Sequence, residues 1–343
     1  MQPDDVLKEF GIEGYSAKTF GSGLINNTWC VENKNGEKEF ILQRINQKIF
    51  KFPEDIAFNI RLIADHLRSV TKYLFTTPLQ TKEGNDILKT DDGYFRMFPF
   101  IKNSHTIDVV QKSKQAYEAA KQFGKFTKVL SGLDTSKLKI TIPHFHDLAL
   151  RYKQFEEALQ NGNNQRIQNS KDVIDFILKQ KNIVEEFEKI KLDPEFKLRI
   201  THHDTKISNV LFNEEGKGIC VIDLDTVMPG YFISDVGDMM RTYLSPVSEE
   251  EKNLSKIEVR KDFYDGIING YLSEMEDELT ATEKKYFLYA GKFMIYMQAL
   301  RFITDHLNND IYYGAKYEGH NYVRTKNQVT LLQRLQENNL MSV

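Results

Sequence analysis

The sequence predicts an α+β protein with two unequal lobes, a small β-rich lobe over residues 1–100 and a larger, mostly helical lobe over residues 101–343. Up to residue 100, short apolar runs alternate with Asn-Gly and Asp-Gly turns, a spacing typical of β-hairpins. After residue 100, apolar residues recur at three- and four-residue intervals, as they do on the buried face of a helix. With only 8 prolines and 19 glycines in 343 residues, no flexible linker is expected between the lobes.

The predicted elements of the first lobe follow one another closely. A candidate strand at residues 15–20 leads into the turn Gly21-Ser22-Gly23. Two apolar runs, at residues 28–32 and 39–45, flank Asn35-Gly36 and predict a hairpin. Pro53 then begins a helix with one apolar face, since proline suits the first helical position. A second hairpin is predicted from residues 87–89 and 94–98, with Asp91-Asp92-Gly93 at its turn.

The second lobe is predicted to be helical except for one short hairpin. The helical patterns show charged outer faces and cover residues 106–130, 147–160, 170–190, 259–275, 281–307 and 325–340. The hairpin comprises two apolar runs, at residues 210–212 and 219–224, with a glycine-containing turn between them.

Composition excludes several classes of protein. The chain has 46 basic and 49 acidic residues, a net charge of -3, and so lacks the basic excess that a dedicated nucleic-acid binder needs. Cys30 and Cys220 are too few for a disulfide framework and are expected to be reduced thiols. No run of apolar residues is long enough to span a membrane, and the first ten residues lack the pattern of a signal peptide. We therefore expect a cytoplasmic protein that binds neither nucleic acid nor membranes.

The segment Thr201–Gly230 has the most informative spacing in the chain. Asn209 follows Asp204 by five residues, and Asp223 follows Asn209 by fourteen, with the predicted hairpin between the last two. Because a hairpin brings its ends together, Asn209 and Asp223 are expected to lie side by side. Their oxygens are hard ligands of the kind that Mg²⁺ prefers, with nucleotide phosphates completing its shell. Asp204 can then orient an attacking hydroxyl and accept its proton, as phosphoryl transfer requires.

The pattern His202-x-Asp204-x4-Asn209 followed by Ile222-Asp223 resembles the catalytic and metal motifs of the aminoglycoside phosphotransferase and choline kinase superfamily. Within that superfamily, the sequence is most similar to the N-acetylhexosamine 1-kinases. The resemblance spans residues 21–313 and includes GLINNT at 23–28, ILQRIN at 41–46, DTKISNVLF at 204–212, IDLDTVMPG at 222–230, and RF at 301–302 with DIYY at 310–313. It implies a bilobal protein-kinase-like fold and an ATP- and Mg²⁺-dependent kinase that phosphorylates the anomeric hydroxyl of N-acetylglucosamine or N-acetylgalactosamine.

The resemblance also implies roles for individual residues. Asp204 would be the catalytic base and contact the substrate, while Asn209 and Asp223 would bind Mg²⁺, with Asp225 as an additional oxygen. Residues implied to bind the small sugar are Thr226, Arg301 and Tyr312. Residues implied to bind ATP are Gly21, Gly23, Asn26 and Thr28 in the phosphate loop, Arg44 on the third strand, and Met97, Phe98 and Phe100 at the lobe hinge. His202 is predicted to brace the catalytic loop by hydrogen bonding rather than to transfer protons.

Two departures limit this assignment. Asn26 stands where a G-x-G-x-x-G loop has its third glycine, and asparagine tolerates left-handed backbone better than most residues. Either Arg44 or Gln43 replaces the lysine of the third strand, and the helix after Pro53 offers Asn59 and Asp65 but no obvious glutamate partner for it. No A-P-E segment follows Asp223, so protein kinase activity is not expected. The alternatives are a kinase for choline, homoserine, a methylthiopentose or an aminoglycoside, and a catalytically silent nucleotide-binding module. A monomer is expected rather than an obligate oligomer.

Overall fold

The structure is a computed structural model and describes residues 2–21, 25–70, 73–338 and 340. The chain forms two compact units, each assembled from separate stretches of sequence. The first unit comprises the chain up to Thr106 together with Val129–Pro143 and Asn209–Pro229. The second unit comprises Ile107–Lys128, His144–Ser208 and the chain from Gly230 onwards.

The first unit is built on an antiparallel five-stranded sheet. Its strands have the spatial order β1-β2-β3-β5-β4 and cover Ser16–Thr19 (β1), Asn27–Glu32 (β2), Lys38–Arg44 (β3), Leu88–Thr90 (β4) and Gly93–Pro99 (β5). All five were predicted, because each apolar run is bounded by a turn whose residues favour tight reversal. Gln43 on β3 lies directly opposite Arg96 on β5, and their side chains are hydrogen-bonded.

A short N-terminal helix, α1 (Pro3–Glu9), packs on one face of the sheet. The contacts form an apolar cluster of Val6, Leu7, Phe10, Val31, Leu42, Phe95 and Met97. Because side chains alternate across a strand, the neighbours of Leu42 and Met97, namely Gln43 and Arg96, belong to the opposite face. The sequence pattern did not predict α1, since seven residues are too few to show a helical period.

Helix α2 (Pro53–Val70) begins at Pro53, as predicted, with acidic Glu54 and Asp55 in its first turn. Its buried Asn59 donates from Nδ2 to the carbonyls of Lys139 and Val227, at 2.9 and 3.1 Å, and accepts from the Lys139 amide at 2.8 Å. These bonds tie α2 to the two later stretches of the first unit.

The predicted late hairpin forms from Val210–Phe212 (β7) and Gly218–Val221 (β8) and belongs to the first unit. Phe212 exchanges two backbone hydrogen bonds with His105, of 2.8 and 2.9 Å. The strand after the turn ends at Val221, three residues earlier than predicted, because Asp223 has a left-handed backbone with φ of 59°.

The second unit consists mainly of helices. They cover Ser113–Val129 (α3), Leu148–Asn161 (α4), Asn164–Asn169 (α5), Lys171–Lys179 (α6), Asn182–Leu192 (α7), Phe232–Tyr243 (α8), Lys261–Met275 (α9), Ala281–Lys284 (α10), Phe287–Leu307 (α11) and His320–Glu337 (α12), with a short strand at Arg199–Thr201 (β6). A further short strand, Met228–Gly230 (β9), begins in the first unit and ends at Gly230, where the second unit resumes. Helix α11 is central: it packs against α4, α7, α8 and α12 and is buried on nearly every side. Gly237 of α8 lets α11 approach closely, since a Cβ there would lie 2.4 Å from the carbonyl oxygen of Ala290.

Several predicted helical segments are divided or shifted. The segment 170–190 forms two helices because α6 ends at Lys179 and α7 begins at Asn182. The segment 281–307 likewise divides into α10 and α11. Helix α12 begins at His320, five residues before its predicted start, because its first turn buries polar side chains and so shows no apolar face. None of the described helices is both long and apolar enough to cross a membrane.

Candidate active site

Asp204 follows strand β6 and lies beside Lys206 in the second unit. The Lys206 Nζ is 3.0 Å from the Asp204 Oδ1, and the His202 Nδ1 accepts from the Asp204 amide at 3.3 Å. Burial raises the pKa of the Asp204 carboxyl, but the charges of Lys206, His202 and Arg241 more than offset this, and the pKa lies below its ordinary value. Asp204 is therefore a carboxylate at neutral pH, in the protonation state that a base requires.

Asp235, on helix α8, holds the backbone of this loop. Its Oδ2 accepts from the His202 amide at 3.0 Å and its Oδ1 from the His203 amide at 2.7 Å. The Thr205 hydroxyl donates to the Asp235 carbonyl at 2.7 Å. Complete burial raises the pKa of Asp235 to about 7, although the two amides act in the opposite direction. One buried carboxylate thus sets the backbone conformation immediately before Asp204.

A buried charge network continues from this loop. The Asp238 Oδ2 accepts from the Thr205 amide at 2.8 Å, and its Oδ1 accepts from the Arg241 Nε at 3.0 Å. Arg241 also pairs with Glu249 at 2.9 Å, and Glu249 in turn pairs with Arg324. Each buried charge in this series has an opposite partner, as burial in a low dielectric demands.

Three histidines lie around the same loop. His202 is completely buried with its ring centroid 5.2 Å from that of Phe123, in an edge-on arrangement. The bracing role of His202 stays a prediction. His203, with a left-handed φ of 65°, has its Nδ1 3.2 Å from the Nδ1 of His146. Burial, and then the charges of His203 and Arg301, lower the pKa of His146 well below its ordinary value, so His146 is neutral at physiological pH.

Given the catalytic role that the sequence predicts for Asp204, Asp235→Asn is expected to lower turnover by displacing Asp204. The two backbone amides of His202 and His203 each need an acceptor oxygen, whereas a carboxamide offers only one, so the loop must shift. A small misplacement of the Asp204 carboxylate reduces turnover by about 10- to 100-fold. Steady-state kinetics should show a lower kcat with an unchanged KM for ATP. The exposed Asp277→Asn is the control, and normal turnover in a folded Asp235→Asn protein would show that Asp235 has no positioning role.

Asn209 and Asp223 lie at the two ends of the β7–β8 hairpin in the first unit. The Asn209 carbonyl accepts from the Ile222 amide at 2.9 Å, so the hairpin brings the segments together as its sequence predicts. The left-handed backbone of Asp223 is the kind of strained conformation that clusters at functional positions. Among the described residues, no group of three or more His, Cys, Asp or Glu side chains is arranged to hold a metal ion.

Asp225, predicted as an additional metal oxygen, is bound by protein side chains. Its carboxylate forms an ion pair with Arg96, both side chains being 2% exposed, and accepts from the Asn26 Nδ2 at 2.8 Å. The Arg96 Nε and Nη2 donate to the Gln43 Oε1 at 3.0 and 2.9 Å. Arg96 on β5 thus places a buried cation on this face of the sheet.

The predicted nucleotide residues are placed around this network. The Asn26 Oδ1 also accepts from the backbone amide of Asn46 at 3.0 Å. The Thr28 hydroxyl accepts from the side-chain Nε2 of Gln43 at 3.3 Å. Gly21 has a left-handed φ of 76°, whereas Gly23 lies outside the described residues.

The hinge residues and Arg44 differ in exposure. Arg44 is exposed, whereas Met97 is fully buried in the apolar cluster beneath the sheet. The Phe98 ring lies 5.1 Å from the Arg96 guanidinium, on the face of the sheet that bears the polar network. The Phe100 ring centroid is 6.3 Å from that of Phe20.

Arg301 and Tyr312 line one cavity of the second unit, with a volume of about 420 Å³. We call it the Arg151–Arg301 cavity; its walls come from α4, α11 and the loop after α11, and comprise Arg151, Gln154, Glu157, Ala158, Asn161, Arg301, Thr304, Asp305, Asn308, Tyr312 and Tyr313. The Arg301 guanidinium is 5.9 Å from the Tyr312 ring and 5.4 Å from the Tyr313 ring. Thr226, the other predicted substrate residue, is buried in the first unit.

Asp305 anchors the loop that presents Tyr312. Its two carboxylate oxygens accept from the amides of Tyr312 and Tyr313 at 2.7 and 2.8 Å, and Asn321 donates to the same carboxylate at 3.1 Å. Arg166 pairs with Asp310 of the loop at 2.6 Å. The backbone is therefore fixed, although the Tyr312 side chain is 74% exposed.

Comparison with known proteins assigns the chain to a family. The family model described as "Phosphotransferase enzyme family" matches residues 16–278, well over half of the chain. The chain belongs to the phosphotransferase enzyme family. The predicted superfamily is thereby confirmed, and the protein is a phosphotransferase.

Solved structures of other members of this phosphotransferase fold resemble the chain over almost its whole length. A microcompartment-associated aminopropanol kinase has a TM-score of 0.64 at 16% identity, with 99% of this chain and 98% of that one covered. An aminoglycoside phosphotransferase from Alicyclobacillus acidocaldarius has a TM-score of 0.61 at 10% identity, with coverages of 98% and 97%. Choline kinase from Cryptosporidium parvum has a TM-score of 0.59 at 14% identity, with coverages of 96% and 92%. These likenesses confirm the predicted kinase-like α+β fold.

Several residues of this phosphotransferase were missed by sequence reasoning. Asp235 and Asp238 follow the recognised segment at a helical spacing of three, which is a visible signal for two carboxylates on one helix face. Arg96 and Arg151 left no such signal, because Asp225 and Arg301 are distant from them in sequence. Asp305 left none either, because its partners are backbone amides of the following loop.

Proposed function

We propose that the protein is an ATP- and Mg²⁺-dependent kinase that transfers a phosphoryl group to the anomeric hydroxyl of N-acetylglucosamine or N-acetylgalactosamine. The observation on which this depends is that Arg301 and Tyr312, the two late residues that match the sugar-binding positions of the resembled kinases, line the same cavity. Its volume of about 420 Å³ is in the range of small-ligand sites. A tyrosine and an arginine offer a flat apolar surface and fixed hydrogen-bond donors, both of which suit a sugar ring.

In this proposal Asp204 orients the acceptor hydroxyl and accepts its proton. An anomeric hydroxyl is more acidic than an ordinary alcohol, so a carboxylate with a low pKa suffices as the base. The nearby Lys206 ammonium, 3.0 Å from Asp204, keeps the carboxylate ionised. Most of the rate enhancement would come from positioning and from stabilisation of charge on the transferred group.

The nucleotide would bind through residues of the first unit. The hard oxygens of Asn209 and Asp223 fit Mg²⁺, which takes one or two protein oxygens and completes its shell with phosphates and water. When bound, Mg²⁺ neutralises charge on the phosphates. The Asp225 carboxylate is already paired with Arg96 and Asn26, so we assign it a supporting role behind Asp223. Gly21, Asn26 and Thr28 would cover the phosphates, and Arg96 is a better candidate than Arg44 for the cation of the sheet.

A different small-alcohol kinase is the second candidate. The solved structures that resemble this chain include a choline kinase and an aminoglycoside phosphotransferase. A cationic acceptor such as choline is disfavoured here, because Arg151 and Arg301 line the cavity and like charges repel at short range. The positive charges of Arg151 and Arg301 do not disfavour homoserine or a methylthiopentose as the acceptor in the same way, because neither carries a net positive charge.

The test is a substrate panel in which ADP release is measured for each acceptor and phosphorus NMR locates the phosphate. We expect turnover with N-acetylhexosamines and a phosphate on the anomeric carbon. Turnover with choline alone would reverse the ranking. Nucleotide binding without transfer to any acceptor would favour a catalytically silent module.

We predict that Arg301→Ala raises the KM for the sugar by about 10- to 100-fold, the effect of losing one or two hydrogen bonds to a charged group. The KM for ATP should change less than twofold, since Arg301 belongs to the acceptor cavity. The exposed Arg334→Ala, on α12, controls for the loss of a positive charge. Equal changes in both KM values would mean that Arg301 has a structural role.

A further inference from the structure

Two arginines line the Arg151–Arg301 cavity without a carboxylate partner. Within the described part of the chain, the structure gives no ion pair to either guanidinium. Arg151 donates from Nη1 to the Gln154 Oε1 at 3.0 Å and from Nη2 to the His144 carbonyl at 2.8 Å. Arg301 donates from Nη1 to the Gln298 Oε1 at 3.3 Å. The described hydrogen bonds of both guanidiniums therefore go to neutral groups, and the Asp147 carboxylate, which acts on Arg151 through its charge, instead accepts from the Leu150 amide at 3.1 Å.

Burial and mutual repulsion make this arrangement costly. Burial lowers the pKa of Arg151, and the charge of Arg301 lowers it further, so the two guanidiniums are close enough to repel. The Arg151 Nε is buried, and no described group accepts a hydrogen bond from it. By contrast, the buried guanidiniums of Arg96 and Arg241 each contact at least one carboxylate.

The acidic residues of the cavity wall do not supply the missing negative charge. The Asp305 carboxylate is already bonded to the amides of Tyr312 and Tyr313 and to Asn321. Glu157 has a side chain that is 58% exposed and lies 3.9 Å from Lys153. The inner wall therefore presents two positive charges and an unused N–H donor.

We propose that the Arg151–Arg301 cavity is an anion subsite that binds a carboxylate, sulfate or phosphate group on the acceptor. This inference rests on the proposed function and narrows it: the preferred acceptor is an N-acetylhexosamine that bears an acidic substituent away from its anomeric carbon. Guanidinium groups bind such anions through paired, charge-assisted hydrogen bonds, which also orient the ligand. A bound anion would relieve the repulsion between the two arginines and accept from the Arg151 Nε.

The kinetic test compares N-acetylglucosamine with its 6-sulfate and its 6-phosphate. In the wild-type protein we expect kcat/KM to be about 10- to 100-fold higher for one or both acidic sugars, the effect of one charged hydrogen-bonding contact. Arg151→Gln should abolish that preference, so that the ratio of kcat/KM between the acidic and the neutral sugar falls to about one. Arg151→Lys should restore only part of it, because an ammonium lacks the paired geometry. Arg334→Gln, an exposed arginine of the same unit, should change neither value.

The outcomes separate the two proposals. Equal use of neutral and acidic sugars, with Arg151→Gln reducing both alike, would overturn the anion subsite and leave the hexosamine kinase intact. If no hexosamine is phosphorylated, the proposed function fails. Thermal unfolding in the presence of an anion then tests, without any acceptor, whether the cavity binds anions. Inorganic sulfate should raise the Tm of the wild-type protein more than that of Arg151→Gln by mass action. The same rise in both proteins would overturn the inference.

Discussion

Asp204→Asn is expected to reduce kcat by about 10²- to 10⁴-fold, the usual contribution of a positioned general base. The side chain keeps its shape and its surroundings, but it loses the negative charge that, in the proposed reaction, accepts the proton of the acceptor hydroxyl. ATP affinity, measured by titration calorimetry, should stay within about twofold of the wild-type value, because the residues that we propose to bind the nucleotide belong to the first unit.

The control for this prediction is Asp265→Asn, which removes a half-exposed carboxylate of α9 from the same unit. It should leave both turnover and ATP affinity unchanged. Turnover of Asp204→Asn near the wild-type rate would remove Asp204 from the role of base, and a matched loss of ATP affinity would assign it to the nucleotide instead.

Arg96→Met is expected to destabilise the protein by about 3–5 kcal/mol, the cost of leaving one member of a buried ion pair without its partner. Among the described groups, Asp225 would keep Asn26 alone as a side-chain donor, and Gln43 would lose the guanidinium that it binds. We also expect a large rise in the KM for ATP, since this network supports Asn26 and Asp225. Thermal and denaturant unfolding, together with ATP titration, measure the two effects.

A double variant tests whether the ion pair serves stability or nucleotide binding. Replacing both partners with apolar residues, as in Arg96→Met with Asp225→Leu, leaves no uncompensated charge and should recover most of the lost stability. ATP affinity should stay low. Arg68→Met, which breaks an exposed ion pair with Asp65, is the control and should change stability little. A double variant that binds ATP normally would contradict a functional role for the pair.

The strands of the first unit were predictable because their turns are local signals. Asn35-Gly36 and Gly93 occur where the chain must reverse, and the alternation of side chains then determines which face is apolar. Helix α1 and the first turn of α12 were not predictable in the same way. The former is too short to show a period, and the latter buries His320 and Asn321, polar residues whose burial depends on distant partners.

The site residues also differ in whether their signal is local in the sequence or depends on distant partners. The family and the candidate roles of Asp204, Asn209 and Asp223 were visible because these residues occur within one segment at set spacings. The pairing of Arg96 with Asp225 joins positions that are distant in sequence, and it depends on the register that places Gln43 opposite Arg96. The family resemblance implied Arg44 on β3 for the phosphate-binding cation, and that role stays a prediction. Arg151 was missed because only the packing of α4 against α11 brings it to Arg301.

The anchoring of the loop after α11 has a consequence for how substrate preference can evolve. Asp305, Asn321 and Arg166 fix its backbone from behind, while Tyr312 projects outward with most of its surface exposed. Substitutions at Tyr312 therefore change the wall seen by an incoming molecule without disturbing the protein interior. During the evolution of such enzymes, single substitutions in this loop would change which acceptors bind, with little effect on folding.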